Sequence, residues 1–307
     1  MFGKRLRNNG LTAVVTAADG VHAATVVRDR ANPPRVVFHD FAAAIGGQLP
    51  ELKQLLARGD ASRYRASTLL DGRDYQLLLV EAPDVRPEEL RAAVRWRIKD
   101  LINFHIDDAI IDVFEIPDQR HANRNRMMYA VAARASQVSA HAQLLTDAGL
   151  DVDIVDLPEM AVRNLAALLP EESRGLALIH LNNDGGIITI SRQGTLYLTR
   201  RLDTGVRALD AADHAQRERL CEGVLLEVQR SLDYYDSHFP HGPVAALALT
   251  PTTAATSLAE YLPQQLETPV LTPRLEELLD FDAAPNTLDG DGILAIGAAL
   301  RHEERAL

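Results

Sequence analysis

The chain is predicted to be an α/β protein built as two copies of one architecture, and three features of its 307 residues carry that reading. Each half opens on alternating apolar and polar residues broken by a turn dipeptide, the mark of a β-hairpin, and each then passes into strand–helix units. The break between the halves falls at residues 170–174, PEESR, after a helical pattern and before a fresh apolar run. The composition is that of an ordinary globular protein, 47% hydrophobic and 24% charged. A chain of this length suits two domains of roughly 150 residues each.

In the first half, residues 11–27 alternate around Asp19-Gly20, and 35–38 give a further strand pattern. Residues 49–56 read as a helix, and 65–70 and 75–81 as strands flanking Asp71-Gly72. The most informative stretch is 90–114, LRAAVRWRIKDLINFHIDDAIIDVF. Leu90, Val94, Ile98 and Leu101 recur at i, i+4, i+8 and i+11, one face of a 3.6-residue period. Asp84 and Pro87 are start signals, and Glu88 and Glu89 suit the positive end of the helix dipole. Ile110, Val113 and Phe114 then form a short apolar run. A helix beside a strand makes a groove. Trp96 sits off the main stripe, where it either packs under the Phe104 loop or walls a peptide-binding groove. Polar residues 119–126 read as a hairpin loop, 127–133 as a buried strand, and 136–148 as a helix closed by Gly149 at C′. A strand at 151–156 and a helix at 158–169, opened by Pro158, finish the half.

The second half repeats the theme. Strand patterns at 175–181, 187–191 and 195–201 are separated by Gly185-Gly186 and Gln193-Gly194. One long helix is expected over 211–236, with Leu220, Val224, Val228 and Leu232 on one face. A strand at 244–250, a helix at 256–266, a short strand at 269–271, a loop over the acidic stretch 276–291 and a final helix at 293–302 complete the chain.

Composition narrows the chemistry. With 43 acidic and 32 basic residues the net charge is −11, which argues against a nucleic-acid footprint. The start is locally basic, with Lys4, Arg5 and Arg7; a solvated terminus is the plainer reading, and weak contact with an anionic membrane surface the sharper one. Cys221 is the only cysteine, which rules out an internal disulfide and fits a reducing compartment; its helical setting suits a packed residue. No apolar run nears the ~18 residues a membrane span requires, and none follows the basic start as in a signal peptide, so a soluble protein is expected. His238 and His241 lack the companions of a metal site and suit a helix end. Asp151, Asp153 and Asp156 suit the wet edge of a strand, and Asp289-Gly290-Asp291-Gly292 a flexible turn. Hydrolase, P-loop and zincin motifs are missing, so no catalytic residue and no metal is expected.

The order of these landmarks resembles the type IV pilus assembly PilM family, and within it the MSHA-type (MshI) members. Related domains occur in type II secretion GspL proteins. The residues that carry the resemblance are ELRAAVRWRIKDLINFHIDDAIIDVFEI, then MMYAVAARASQVSAHAQLLTDAGLDVDIVDLPEMAVRNLAALL, EVQRSLDYYDS in the long helix, and ILAIGAALR near the end. The resemblance implies an actin-like, RNase H-like duplicated fold. It places the first domain at 1–172 with an inserted subdomain at about 86–126, the second at 173–292, and a helix at 293–307 packing back on the first. Actin-like proteins hold ATP between their halves on glycine-rich hairpins with an acidic residue serving the metal. Here the first hairpin reads Thr16-Ala17-Ala18-Asp19-Gly20, with Thr16 and Ala18 at the expected aspartate and glycine and Asp19 a displaced carboxylate or a turn residue. The second reads His180-Leu181-Asn182, and the adenosine glycines are replaced by Thr250-Pro251-Thr252-Thr253-Ala254. No cofactor is therefore expected, ATP being the alternative. The implied function is a non-catalytic cytoplasmic scaffold, peripheral to the inner membrane, that holds the N-terminal peptide of a single-span PilN-like partner. Trp96, Leu101, Phe104 and Ile110 are the expected lining, and an assembly ATPase or platform proteins are further candidate partners. An ATP-driven switch, or a type II secretion component, is the competing expectation.

Overall fold

The computed structural model describes residues 7–29, 32–45, 47–59, 61–119, 126–283 and 288–302. Lys4, Arg5 and most of the expected 119–126 loop lie outside them, as do 303–307 of the expected last segment.

The first half begins as an antiparallel meander, β1 (Arg7–Thr16), β2 (Gly20–Val27) and β3 (Arg35–Ala43), followed by α1 (Gln48–Ala57) and by β4 (Tyr64–Leu69), which runs parallel to β1. The chain then leaves this sheet to build β5 (Tyr75–Glu81), α2 (Pro87–Ile98), β6 (Ala109–Glu115) and β7 (Met127–Arg134), and returns through α3 (Ala135–Asp147) to β8 (Asp151–Asp156) beside β4. Gly149, at φ +89°, closes α3 as its C′ position demanded. Helix α4 (Pro158–Ala166) leads out.

The second half is the same design again: a meander β9 (Leu176–Leu181), β10 (Gly186–Arg192) and β11 (Thr195–Leu202), helices α5 (Val206–Ala211) and α6 (His214–His238), then β12 (Ala246–Leu249) parallel to β9. After α7 (Pro251–Ala254) and α8 (Leu258–Gln265), β13 (Val270–Leu271) adds parallel to β12. The tail is α9 (Leu275–Leu278), β14 (Asp280–Phe281) and α10 (Gly290–Ala299). The sheet orders β3-β2-β1-β4-β8 and β11-β10-β9-β12-β13 match strand for strand, β14 being added outside β3. The duplication is thus visible in topology.

Helices α4 and α10 fill the space between the two sheets. One core cluster joins Ala13, Val15, Ala24 and Val26 of the first sheet to Leu176, Leu178, Ala246 and Ala248 of the second through these helices. Among the residues of α4, Glu159, Arg163 and Asn164 are buried with its apolar ones, so the helix is enclosed nearly all round. Gly297 allows the crossing: a Cβ there would lie 2.5 Å from the Ala161 carbonyl oxygen, and Asn164 donates to the Gly297 carbonyl at 2.9 Å. On the far faces, α1 and α3 cover the first sheet, and α6 and α8 the second.

Several expectations are corrected. The long helix is present as α6 but starts at His214, because Asp213 caps it by accepting from the Gln216 amide at 2.8 Å while Ala212 is extended, and α5 before it is a separate short helix the sequence reading did not include. The expected loop 276–291 holds most of α9, β14 and the start of α10. β14 is stabilised by pairing with β3, far away in sequence, which local periodicity cannot report. Asp289 is the N-cap of α10 and accepts from the Gly292 amide at 2.8 Å, so the Asp-Gly repeat starts a helix and is no flexible turn. Asp156 is buried against Arg301, out of phase with Asp151 and Asp153, and does not belong to a wet edge. Cys221 packs against Ser257, its Sγ 3.4 Å from Oγ.

Candidate functional site

The cleft between the halves is where the resemblance places a nucleotide. Thr16, Asp19 and Gly20 form the β1–β2 turn, which closes on itself through the Ala17 amide donating to the Gly20 carbonyl at 2.8 Å. His180 and Asn182 lie at the end of β9, with Thr252 in α7 directly behind. Here the backbone donors are already used. The Leu181 amide donates to Thr253 Oγ1 at 2.9 Å, and the Asp184 and Gly185 amides both donate to Asn182 Oδ1 at 3.2 and 3.0 Å. Thr252 Oγ1 donates to the Leu181 carbonyl at 3.0 Å. The threonines that replace the adenosine glycines therefore lace α7 to the second hairpin. His180 is fully enclosed, touching Thr250 Oγ1 at 3.2 Å, and burial pulls its pKa down to about 4.

Between the two hairpin tips stands the first turn of α10. Gly290 lies so close to the second hairpin that a Cβ would meet Asn182 Cα at 2.6 Å. Asn182 Nδ2 donates to Asp291 Oδ1 at 3.3 Å. On the other side Asp291 approaches Asp19 and His22 of the first hairpin. Burial raises the Asp291 carboxyl, partly offset by His22.

A second contact joins the halves. Tyr75 Oη donates to Glu159 Oε2 at 2.5 Å, Arg201 Nη2 stands 3.6 Å from Glu159 Oε1, and the Arg201 guanidinium covers the Tyr75 ring at 4.6 Å. Glu159 is held above the usual carboxylate range by burial, against the pull of Tyr75 and Arg201.

The other expected site lies on β5, β7 and β6, which form a separate three-stranded sheet with β7 in the middle. Its strands run from Tyr75 to Arg134, wider than 86–126, because a paired sheet needs both neighbours of β7. Val94 and Ile98 of α2 seal one face over Val80, Val113, Met128 and Ala130, with Phe104 partly buried beside them and Arg134 over its ring at 4.6 Å. The opposite face meets the second half: Phe114 stacks on Tyr129 at 5.0 Å, and Tyr129 Oη accepts from the Thr199 amide at 3.2 Å. Trp96 stands on the solvent side of α2, 72% exposed, with Lys99 Nζ 5.7 Å from its ring centroid. Leu101 is exposed in the turn after α2. Ile110 has the opposite parity to Val113 on β6, so it leaves the sheet away from α2. The four residues therefore ring the outer part of this sheet without converging on one pocket. Leu79 and Val85 are exposed apolar residues of the same subdomain that periodicity did not single out, since alternation marks a strand without saying which face is covered.

His238 stacks on Tyr234 at 3.9 Å, whereas His241 lies 3.5 Å from Asp118, so the two histidines form no shared site. No helix among the described residues is long and apolar enough to cross a membrane.

Two matched meander-plus-parallel sheets around a pair of crossing helices define an actin-like protein. Solved structures agree. The chain is similar to a PilM–PilN type IV pilus biogenesis complex at a TM-score of 0.71 and 19% identity, covering 95% of this chain and 98% of that one. It is also similar to the cytoplasmic domain of EpsL, an inner membrane component of the type II secretion system of Vibrio cholerae, at 0.52 and 14%, covering 95% and 96%. A Bacteroides thetaiotaomicron protein with an actin-like ATPase fold and unknown function gives 0.51 and 10%, covering 96% and 98%. Residues 77–211 match the family model for the type IV pilus assembly protein PilM, so the chain is PilM-like from the inserted sheet into the second half. No curated protein matches it by sequence.

Proposed function

We propose that the protein is a non-catalytic scaffold of a type IV pilus assembly platform, of the MSHA kind, that captures the short N-terminal peptide of a single-span, PilN-like partner. It works on the cytoplasmic side of the inner membrane and reaches the membrane through that partner. One observation carries the reading: of the eight large apolar residues exposed among the described residues, five (Leu79, Val85, Trp96, Leu101 and Ile110) belong to the inserted subdomain. That subdomain also ends in two edge strands, β5 and β6. A peptide added along β6 would pair its backbone with the strand and set alternate side chains toward Phe104 and Leu101 on one face and Ile110 on the other. The second hairpin supports the non-catalytic part, because its amides are occupied by Thr253 and Asn182 where a phosphate would need them. The match to the PilM family over 77–211 favours a pilus over a secretion system.

The test is a titration of the partner's N-terminal peptide against the full chain, with Leu101→Ala and Phe104→Ala compared. Leu101 is exposed, so its loss leaves the fold intact; affinity for Leu101→Ala falls at least several-fold. Unchanged affinity in both variants would reject this surface.

A further inference from the structure

The contact between α10 and the first hairpin has the make-up of a metal site. One donor atom each from Asp19, His22 and Asp291 lies within 4.8 Å of the other two. His22 is 3% exposed, and its Nε2 is enclosed with no hydrogen-bond partner, while Nδ1 lies 3.4 Å from Asp289 Oδ1. A buried imidazole nitrogen without a hydrogen-bond partner is costly, and a bound ion is one way to satisfy it. Phe41 packs on the ring at 4.5 Å and fixes its plane. A cavity of about 670 Å³ lined by His22, Phe41, Asp289 and Gly292 adjoins the imidazole, while Asp19 and Asp291 are not part of its lining.

We infer that Asp19, His22 and Asp291 bind a first-row divalent transition ion that fastens the first hairpin to the first turn of α10. The donor set, one imidazole and two carboxylates, suits Zn²⁺ or Mn²⁺ over Mg²⁺, which prefers oxygen and keeps its water. Donors about 2.1 Å from a tetrahedral ion stand ~3.4 Å apart, so the three, now within 4.8 Å of one another, must draw together by up to about 1.4 Å. Asp19 is exposed on a turn and can turn inward to do so. Because Asp291 also accepts from Asn182, the ion would tie both hairpins to one helix end, and so fix the angle between the halves. The site is separate from the peptide surface and stands or falls without it.

The experiment titrates the metal-stripped full chain with ZnCl₂, MnCl₂ and MgCl₂ by calorimetry, with Asp19→Asn, Asp291→Asn and His238→Gln as variants. The expected result is one tight equivalent of Zn²⁺ or Mn²⁺ per chain, weakened at least tenfold in Asp19→Asn and Asp291→Asn and unchanged in His238→Gln. Zn²⁺ should also raise the melting temperature of the parent chain and not that of Asp19→Asn, a turn variant that keeps the fold. Absence of a tight equivalent, or one that survives both aspartate substitutions, would overturn the assignment and leave His22 as a partner of Asp289 alone.

Discussion

The second five-stranded sheet and the inserted three-stranded sheet are built from equally apolar strands, yet they serve different ends. Every residue of β9 and β12 is buried, with α4 and α10 on one face and α6 and α8 on the other. On β6 only Ala109 and Val113 are buried, and the sheet has a single helix of its own. A strand closed on both faces is architecture. A strand covered by α2 on one face, meeting the second half only in part on the other and open along its edge, is a surface, and its exposed apolar residues are available to another chain.

The difference is breakable by measurement. The largest effect should come from the closed sheet: Ile179→Ala, at 0% exposure, should cost about 2–5 kcal/mol in urea denaturation, while Ile110→Ala, at 45%, should change stability by less than about 0.5 kcal/mol. Equal losses would mean the inserted sheet is as much a core as the other.

His180 makes the closed sheet pH-sensitive in a defined direction. Its pKa is depressed by burial from 6.5 to about 4, so in that interval the unfolded chain takes up a proton that the folded chain refuses. Stability contributed by the neutral imidazole is present above pH 6.5 and is lost as pH falls toward 4, by roughly 3 kcal/mol in all. Denaturation at pH 7 and pH 4.5 should show His180→Gln losing less on acidification than the parent chain; parallel losses would refute the assignment.

The junction between the two regions is the next target. Arg201→Ala leaves the Glu159 carboxyl with Tyr75 alone and should cost about 1–3 kcal/mol, the low end favoured because Arg201 is 45% exposed. Since burial raises the Glu159 pKa, the folded state resists ionising it; stability falls as pH rises through the raised value, and Glu159→Gln should remove that fall.

For the open sheet the sensitive readout is binding. Trp96→Ala and Ile110→Ala sit on opposite sides, so peptide affinity should drop about tenfold, near 1.4 kcal/mol, for whichever side the partner covers. The smallest effect expected is none: Mg-ATP should leave the melting temperature within about 1 °C, whereas a ligand at 100 times its Kd would stabilise by about 2.7 kcal/mol.

The local elements were legible in the sequence because their causes are local. The hairpin around Asp19-Gly20, the Gly149 closure of α3 and the Val94–Ile98 face of α2 all follow from spacing a few residues long. What was hidden depends on partners distant in the chain. β14 needs β3, the first turn of α10 needs Asp289 and the two hairpins, and the burial of Asp156 needs Arg301. Trp96 shows the same limit for a site: periodicity placed it off the apolar stripe of α2 without telling whether another element lay over it. The sequence leaves Asp19 as a displaced carboxylate or a turn residue and sets Asp291 in a flexible turn, and only folding brings them to His22.

The placement of α10 has a consequence for how the molecule is made. Ile293, Leu294 and Ile296 complete a core shared with β1 and β2, strands far ahead of them in the chain. During translation the face of those strands that α10 covers stays bare until residues 290–299 have left the ribosome. A nonsense codon just before residue 290 would therefore be expected to unsettle β1 and β2 as well as remove α10, and a chaperone that shields nascent apolar strands would find its client there.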